Sequence, residues 1–325
     1  MLGVGSKPEL AELPALWTWM LGVIHRRCCC RVCADAIRCG LLRHAMDNAT
    51  YHAHPAVSKS HLDIVARSPL HYWARYLDPK REVPEPTAAM RMGTALHTLV
   101  LEQDQFENRY ITAPQVDRRT KAGKEAWTEF ESEAGDRELI AADDRVLISR
   151  MAEAVWSHPA AAALLHWQGK AETTHMWTDQ ATGLACKCRP DWLTNDGKLI
   201  VDLKTTEDAS PEGFRKSIGA YRYHVQASWY LDGIQHATGT RPDQFLFVCV
   251  EKKPPHAVAV YAASPVMVTI GAETAARDLD VLATCKAGNV WPGYSDQIEP
   301  ISLPPWMLPR PDGSTMQPPT EIETY

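Results

Sequence analysis

The stretch RPDWLTNDGKLIVDLKTT, Arg189 to Thr206, places two aspartates and a lysine around a tight turn. If Asp196-Gly197 forms a two-residue hairpin loop, as Asp-Gly pairs favour, then Asn195 faces Lys198. The same register sets Thr194 against Leu199, Trp192 against Val201 and Asp191 against Asp202. Cross-strand partners hold their Cβ atoms roughly 4.5 to 5.5 Å apart, so the two carboxylates converge. Lys204, two residues beyond Asp202, shares their face. Converging carboxylates repel, and one pKa rises unless a cation fills the gap. A divalent ion resolves the repulsion. Oxygen ligands suit Mg²⁺, with Mn²⁺ able to substitute, and Mg²⁺ takes one or two carboxylates with water and substrate phosphate in the remaining positions. The plain alternative is a solvated hairpin with three charges facing water. Leu199, Ile200, Val201 and Leu203 weigh against it, because that apolar run describes a strand buried on both faces, where unpaired charge is costly.

The elements that must hold this hairpin follow from local signals. Ser58 caps a helix through Ala66, and Ser68-Pro69 opens another carrying His71, Tyr72, Trp73 and Tyr76. After Pro79, Pro84 and Pro86 a helix spans about Thr87 to Glu102, with Met92, Leu96, Leu99 and Val100 on its apolar face and His97 within it. Further helices are expected over Lys121 to Ala134 and Asp143 to Leu165. Glu172 to Trp177, Leu184 to Thr194 and Leu199 to Lys204 then read as an antiparallel meander, with turns at Ala181-Thr182-Gly183 and Asn195-Asp196-Gly197. A helix containing Tyr221 to Leu231, strands at Phe245 to Val250 and His256 to Tyr261, and a helix from Val266 to Cys285 complete the pattern. Helices first, then a sheet with interspersed helices, is an α+β or mixed α/β order.

With 325 residues and 45% hydrophobic composition, the chain can bury a substantial core in one large domain or two small ones. Its net charge of −6 gives no global attraction to a polyanion, so contact with DNA would have to come from a local basic patch or from metal ions. Five of the nine cysteines crowd residues 28 to 39, which is not a disulfide framework, and reduced thiols in a cytoplasmic protein are expected. The adjacent cysteines of CCCRVC point apart, against a zinc site. The apolar run Leu13 to Ile24 is too short to span a bilayer. Residues 1–45 look foreign to the rest of the chain, either an unusual extension or the product of an upstream start choice before Met46. The expected functional domain covers residues 46–307, and the Pro-rich segment 308–325 is expected to be disordered.

Pro190-Asp191 and Asp202-Leu203-Lys204 look like the PD-(D/E)XK nuclease signature. In order along the chain, GTALHTLVLE, FENRYITAP, RRTKAGKE, AETTHMW, CKCRPD, DLKTT and YRYHVQASWYLDG resemble the nuclease domain of RecE-like exonucleases (exonuclease VIII) of phages and prophages, from about Tyr51 to Trp306. The resemblance implies a restriction-endonuclease-like core, a central mixed sheet flanked by helices with a helical N-terminal part. It implies metal ligation by His97, Asp191 and Asp202, with the Leu203 carbonyl as a further ligand. It also implies a catalytic Lys204, which either holds or deprotonates the attacking water or stands as a positive charge beside the transition state, and a QxxxY element at Gln226 and Tyr230. Four apart, those two share a helix face. His97 alone would more often be a hydrogen-bonded, partly buried histidine; the family pattern reverses that. Glu172 stands open between a support for the site and a strand-edge glutamate.

The resemblance further implies Mg²⁺-dependent 5′-to-3′ degradation of linear duplex DNA to leave 3′ single strands for recombination, by a ring-shaped homo-oligomer working with a RecT-like annealing protein. Arg118, Arg119, Lys121 and Lys124 form the densest basic patch outside the N-terminal segment, read equally as a DNA contact or a solvated helix face. The rivals are a CRISPR-associated or AddB-like nuclease of other polarity with an iron–sulfur cluster, a catalytically silent DNA-binding recombination protein, and a hydrolase of small phosphate esters. No GxxxxGK[ST] loop is present, which argues against a nucleotide-driven motor.

Overall fold

The structure, a computed structural model, describes residues 46–82 and 84–303. The expectations for residues 1–45 and 308–325 lie outside the described residues. Side-chain caps start most of the early helices. Asp47 accepts the Thr50 N–H at 2.8 Å and opens α1 (Asn48–Ala53). Ahead of α2 (Lys59–Arg67) the Ser58 N–H donates to His61 Nδ1 at 2.9 Å. Ser68 caps α3 (Pro69–Tyr72), which passes into a π-helical turn at Trp73–Leu77 instead of continuing as an α-helix. Thr87 caps α4 (Ala88–Leu101), followed by α5 (Gln103–Arg109). Strands β1 (Tyr110–Thr112) and β2 (Glu138–Ile140) pair in parallel, with α6 (Lys121–Ala134) between them in sequence. The single helix expected over 143–165 is two, α7 (Ala142–Ser157) and α8 (Pro159–Leu165), because Pro159 has no N–H to continue the ladder.

The expected meander is not formed. Instead β3 (Gly169–Ala171), β4 (His175–Thr178), β5 (Ala185–Cys188), β6 (Trp192–Thr194) and β7 (Leu199–Thr206) divide between two sheets. Glu172 takes φ 51°, the left-handed region, and turns the chain out of β3 before β4 begins. Pro190 interrupts the run between Cys188 and Trp192, so the strand expected over Leu184 to Thr194 is broken. β4 and β5 form their own hairpin, while the main sheet has the order β3-β6-β7-β8-β9. It is completed after α9 (Pro211–Ala220) and α10 (Tyr223–Thr238) by β8 (Gln244–Glu251) and β9 (Val258–Ala262), and α11 (Pro265–Gly288) follows. β7 and β8 run parallel over eight residues and the other pairs are antiparallel, which makes the sheet mixed. The expected hairpin register holds: Trp192 pairs with Val201 and Leu193 with Ile200, around a turn in which Gly197 takes φ 70°.

Period-two alternation assigns the faces of the central strands. Ile200, Phe245, Phe247 and Cys249 pack with Leu62, Phe214, Val225 and Leu282 from α2, α9, α10 and α11. Val201, Leu203, Leu246, Val248 and Val250 pack with Leu96, Met151, Val155 and Leu164 from α4, α7 and α8. Both faces are therefore covered, as a buried parallel pair requires. The close approach of α11 to α10 needs a glycine: a Cβ on Gly271 would fall 2.0 Å from the His224 carbonyl oxygen. Among the described residues no helix is long and apolar enough to cross a membrane.

Candidate metal centre

Past Trp192 the β6–β7 ladder ends, and the Leu203 N–H needs another acceptor. Asp191 Oδ2 takes it at 2.8 Å, which fixes this carboxylate at the strand end. His97, from the middle of α4, meets the same place. Its Nε2 lies 2.9 Å from the Leu203 carbonyl and its Nδ1 lies 3.5 Å from Asp191 Oδ2. A carbonyl can only accept, so Nε2 is the donating nitrogen, and Nδ1 is the one that faces the acidic group. The Leu203 carbonyl, expected as a ligand, is thus already engaged by the histidine that orients beside it.

Glu172 is the third member. Its backbone N–H donates to the Asp191 carbonyl at 3.1 Å, and its positive φ belongs to the turn that brings the side chain there. Arg189 Nε lies 3.0 Å from Glu172 Oε2 and 3.0 Å from its carbonyl oxygen, and Arg189 Nη2 donates to the Met46 carbonyl at 2.9 Å. Ligand atoms of His97, Glu172 and Asp191 all lie within 4.8 Å of one another. Among the described residues this is the one such group of three. The sequence left Glu172 open and passed over Arg189, and no local periodicity marks either.

Asp202 stands beside this group with a different set of partners. Its side chain is fully buried. Gln226 Nε2 donates to Oδ1 at 2.6 Å, and Lys204 Nζ forms an ion pair with Oδ2 at 2.7 Å. Taking a carboxylate out of water costs several kcal/mol, and one lysine does not cancel that. Burial pushes the Asp202 carboxyl up to about 6, with Lys204 opposing the rise and Asp191 adding to it. Burial likewise pushes Glu172 up to about 7, reinforced by the Asp191 charge. Burial alone would lower Lys204, but the charges of Asp202 and Asp191 outweigh it and keep the ammonium above the ordinary lysine range. Tyr230, one turn beyond Gln226 on α10, has its hydroxyl raised well above the usual value by burial, with Tyr51, Asp202 and Asp191 contributing.

A divalent cation fits these residues on two counts. Three carboxylates outnumber the two fixed cations beside them, Lys204 and Arg189, with His97 3.5 Å from Asp191, and the buried Asp202 Oδ2 has a lone pair left over from its single ion pair. The donor set of carboxylates with one imidazole suits a hard or borderline ion such as Mg²⁺ or Mn²⁺. Cys186, Cys188, Cys249 and Cys285 are buried free thiols and join no group of three ligands among the described residues. The basic patch is largely self-paired: Arg119 binds Asp117 at 3.0 Å, Lys121 lies 3.8 Å from Glu125, and Arg118 stacks over Trp127 at 4.1 Å. Lys124 remains exposed on α6.

A family model described as a PDDEXK-like domain of unknown function (DUF3799) matches residues 58–304, a span containing His97, Glu172, Arg189, Asp191, Asp202, Lys204, Gln226 and Tyr230. A crystal structure from Eubacterium rectale, of a protein provisionally named an exonuclease, aligns with a TM-score of 0.55 and 14% identity over 81% of this chain and 96% of its own. The structure of SSO0001 aligns with a TM-score of 0.24 and 16% identity over 56% of this chain and 85% of its own, too loosely to inform the fold. No match is found among curated proteins.

Proposed function

The chain belongs to the PDDEXK-like family DUF3799, and from that premise we propose that it is a divalent-metal-dependent deoxyribonuclease acting on the ends of duplex DNA. The observation that carries the reading is the meeting of His97, Glu172 and Asp191 at one point, with the Asp202–Lys204 ion pair alongside. An ion held there by Asp191, Glu172 and His97 Nδ1, with Asp202 beside it, would supply positive charge against the scissile phosphate and acidify the attacking water.

The remaining work falls to the side chains. Lys204 is held as an ammonium and cannot accept a proton, so it donates to the attacking water or to a phosphoryl oxygen and offsets charge that grows in the transition state. Gln226 keeps Asp202 Oδ1 aimed, and Arg189 does the same for Glu172. The aligned Eubacterium rectale protein carries an exonuclease name, which supports cutting from an end. The finer proposals are Mg²⁺ as the native ion, 5′-to-3′ polarity leaving 3′ tails for recombination, a ring-shaped homo-oligomer and a RecT-like annealing partner; these rest on the sequence resemblance.

Linear duplex DNA labelled separately at its 5′ and 3′ ends tests the proposal. Release of the 5′ label first with Mg²⁺, and no release with EDTA, is expected. Early loss of the 3′ label would reverse the polarity, and digestion that persists in EDTA would remove the metal-dependent reading.

A further inference from the structure

Arg222 stands at the junction of α9 and α10 with φ 54° and ψ 42°, the left-handed conformation that L residues other than Asn and Asp rarely adopt. It occupies the N-cap of α10, yet no side chain caps this helix, so the usual capping contribution is forgone as well. Three contacts hold the bend. Arg222 Nη1 donates to the Leu62 carbonyl at 3.1 Å and to Asp63 at 3.2 Å, and Nη2 binds Asp278. Strain that the surroundings over-determine, next to a candidate site, asks what the bend achieves.

It stacks two tyrosines. The rings of Tyr221 and Tyr223, on either side of Arg222, lie 5.5 Å apart at 26°. Tyr223 is the inner ring, with Lys204 Nζ 4.9 Å from its centre and Phe214 stacked at 5.9 Å. Tyr221 is the outer ring and is 48% exposed. Its carbonyl accepts Lys59 Nζ at 2.6 Å, and Lys59 is itself tied to Asp63 at 2.7 Å. A continuous line of contacts therefore runs from Asp202 through Lys204 and Tyr223 to an aromatic side chain that is half exposed.

We propose that Tyr221 is a stacking platform for an unpaired nucleobase of the strand whose phosphate lies at Lys204, held in place by the Arg222 bend. This rests on the nuclease reading of the site and names how the substrate strand is positioned there. A π-face accepts any base, so the platform is tolerant of sequence. Tyr221 is a positioning residue that fixes the terminal nucleotide, and it takes no part in the chemical step.

The test pairs a protein change with a substrate change. Wild type, Tyr221→Ala and Tyr221→Trp are assayed for binding and hydrolysis on a duplex with normal terminal nucleotides and on one whose terminal nucleotides are abasic. Stacking is worth about 5- to 150-fold per base, so Tyr221→Ala should weaken binding and raise KM by about ten-fold on the normal end, with a much smaller effect on the abasic end. Tyr221→Trp should restore the wild-type preference. An equal loss on both ends, or none on either, overturns the platform even if hydrolysis is robust. Base-dependent binding that requires Tyr221 without any hydrolysis would keep the platform and remove the nuclease reading. No binding of wild type to either DNA overturns both.

Discussion

Gln226 Nε2 donates to Asp202 Oδ1 across 2.6 Å, joining α10 to the central strand β7 at a carboxylate with no exposure to water. The amide is the hydrogen-bond donor to that oxygen, and the lysine serves the other. Gln226→Ala should therefore leave Oδ1 without its donor and lower hydrolysis about 10- to 100-fold, the usual effect of removing a group that orients a ligand. Stability should fall by about 1 to 3 kcal/mol in urea denaturation. Unchanged turnover in the folded variant would show that Asp202 needs no such anchor.

Lys204→Met tests the ammonium. Hydrolysis should fall by at least about 100-fold while duplex binding persists, because a positioned proton donor is typically worth that much. Turnover near the wild-type level would remove Lys204 from the chemistry.

Glu172 links metal uptake to protons. With its carboxyl raised to about 7 by burial and by Asp191, the protonated form prevails below that pH and an incoming ion must displace the proton. Divalent-ion affinity should fall as pH drops below about 7, with roughly one proton released per ion at about pH 6 and little at about pH 8. Calorimetry in two buffers of different ionisation enthalpy reads this release directly, and proton-free binding at the lower pH would exclude Glu172 as a ligand.

His61 sets an acid limit of its own, apart from the candidate metal centre. Its Nδ1 accepts the Ser58 N–H at 2.9 Å, and burial depresses its pKa to about 4, with Lys187 adding to the shift. A depressed histidine leaves the folded state neutral where the unfolded chain is already charged. Stability is intact above the unfolded value of about 6.5 and is lost as pH falls toward 4, by up to about 3 kcal/mol. Urea midpoints measured across that window should show the loss, and His61→Asn should flatten it. An identical pH slope in the variant would rule the histidine out.

What the sequence made legible was local chemistry. Asp196-Gly197 set the hairpin register that pairs Trp192 with Val201, and Ser68 ahead of Pro69 marked a helix start by the oxygen it offers. Glu172 stayed open between site support and strand edge in the sequence, because its place depends on a positive φ and on a hydrogen bond to Asp191, nineteen positions away in the chain. Arg189 escaped notice for the same reason: its partners are Met46 and Glu172, contacts that only the tertiary fold creates. The division of β4 and β5 from the main sheet likewise depends on the interruptions at Glu172 and Pro190, which outweigh the strand propensity of the residues around them.

The central claim is that three side chains from separate elements share one cation. Anomalous diffraction from crystals soaked in Mn²⁺ locates that cation without reference to activity. The account predicts one strong peak within bonding distance of His97 Nδ1 and of carboxylate oxygens of Asp191 and Glu172, absent in Asp191→Asn. A soaked crystal with no peak there, or with its peak on other residues, would contradict it.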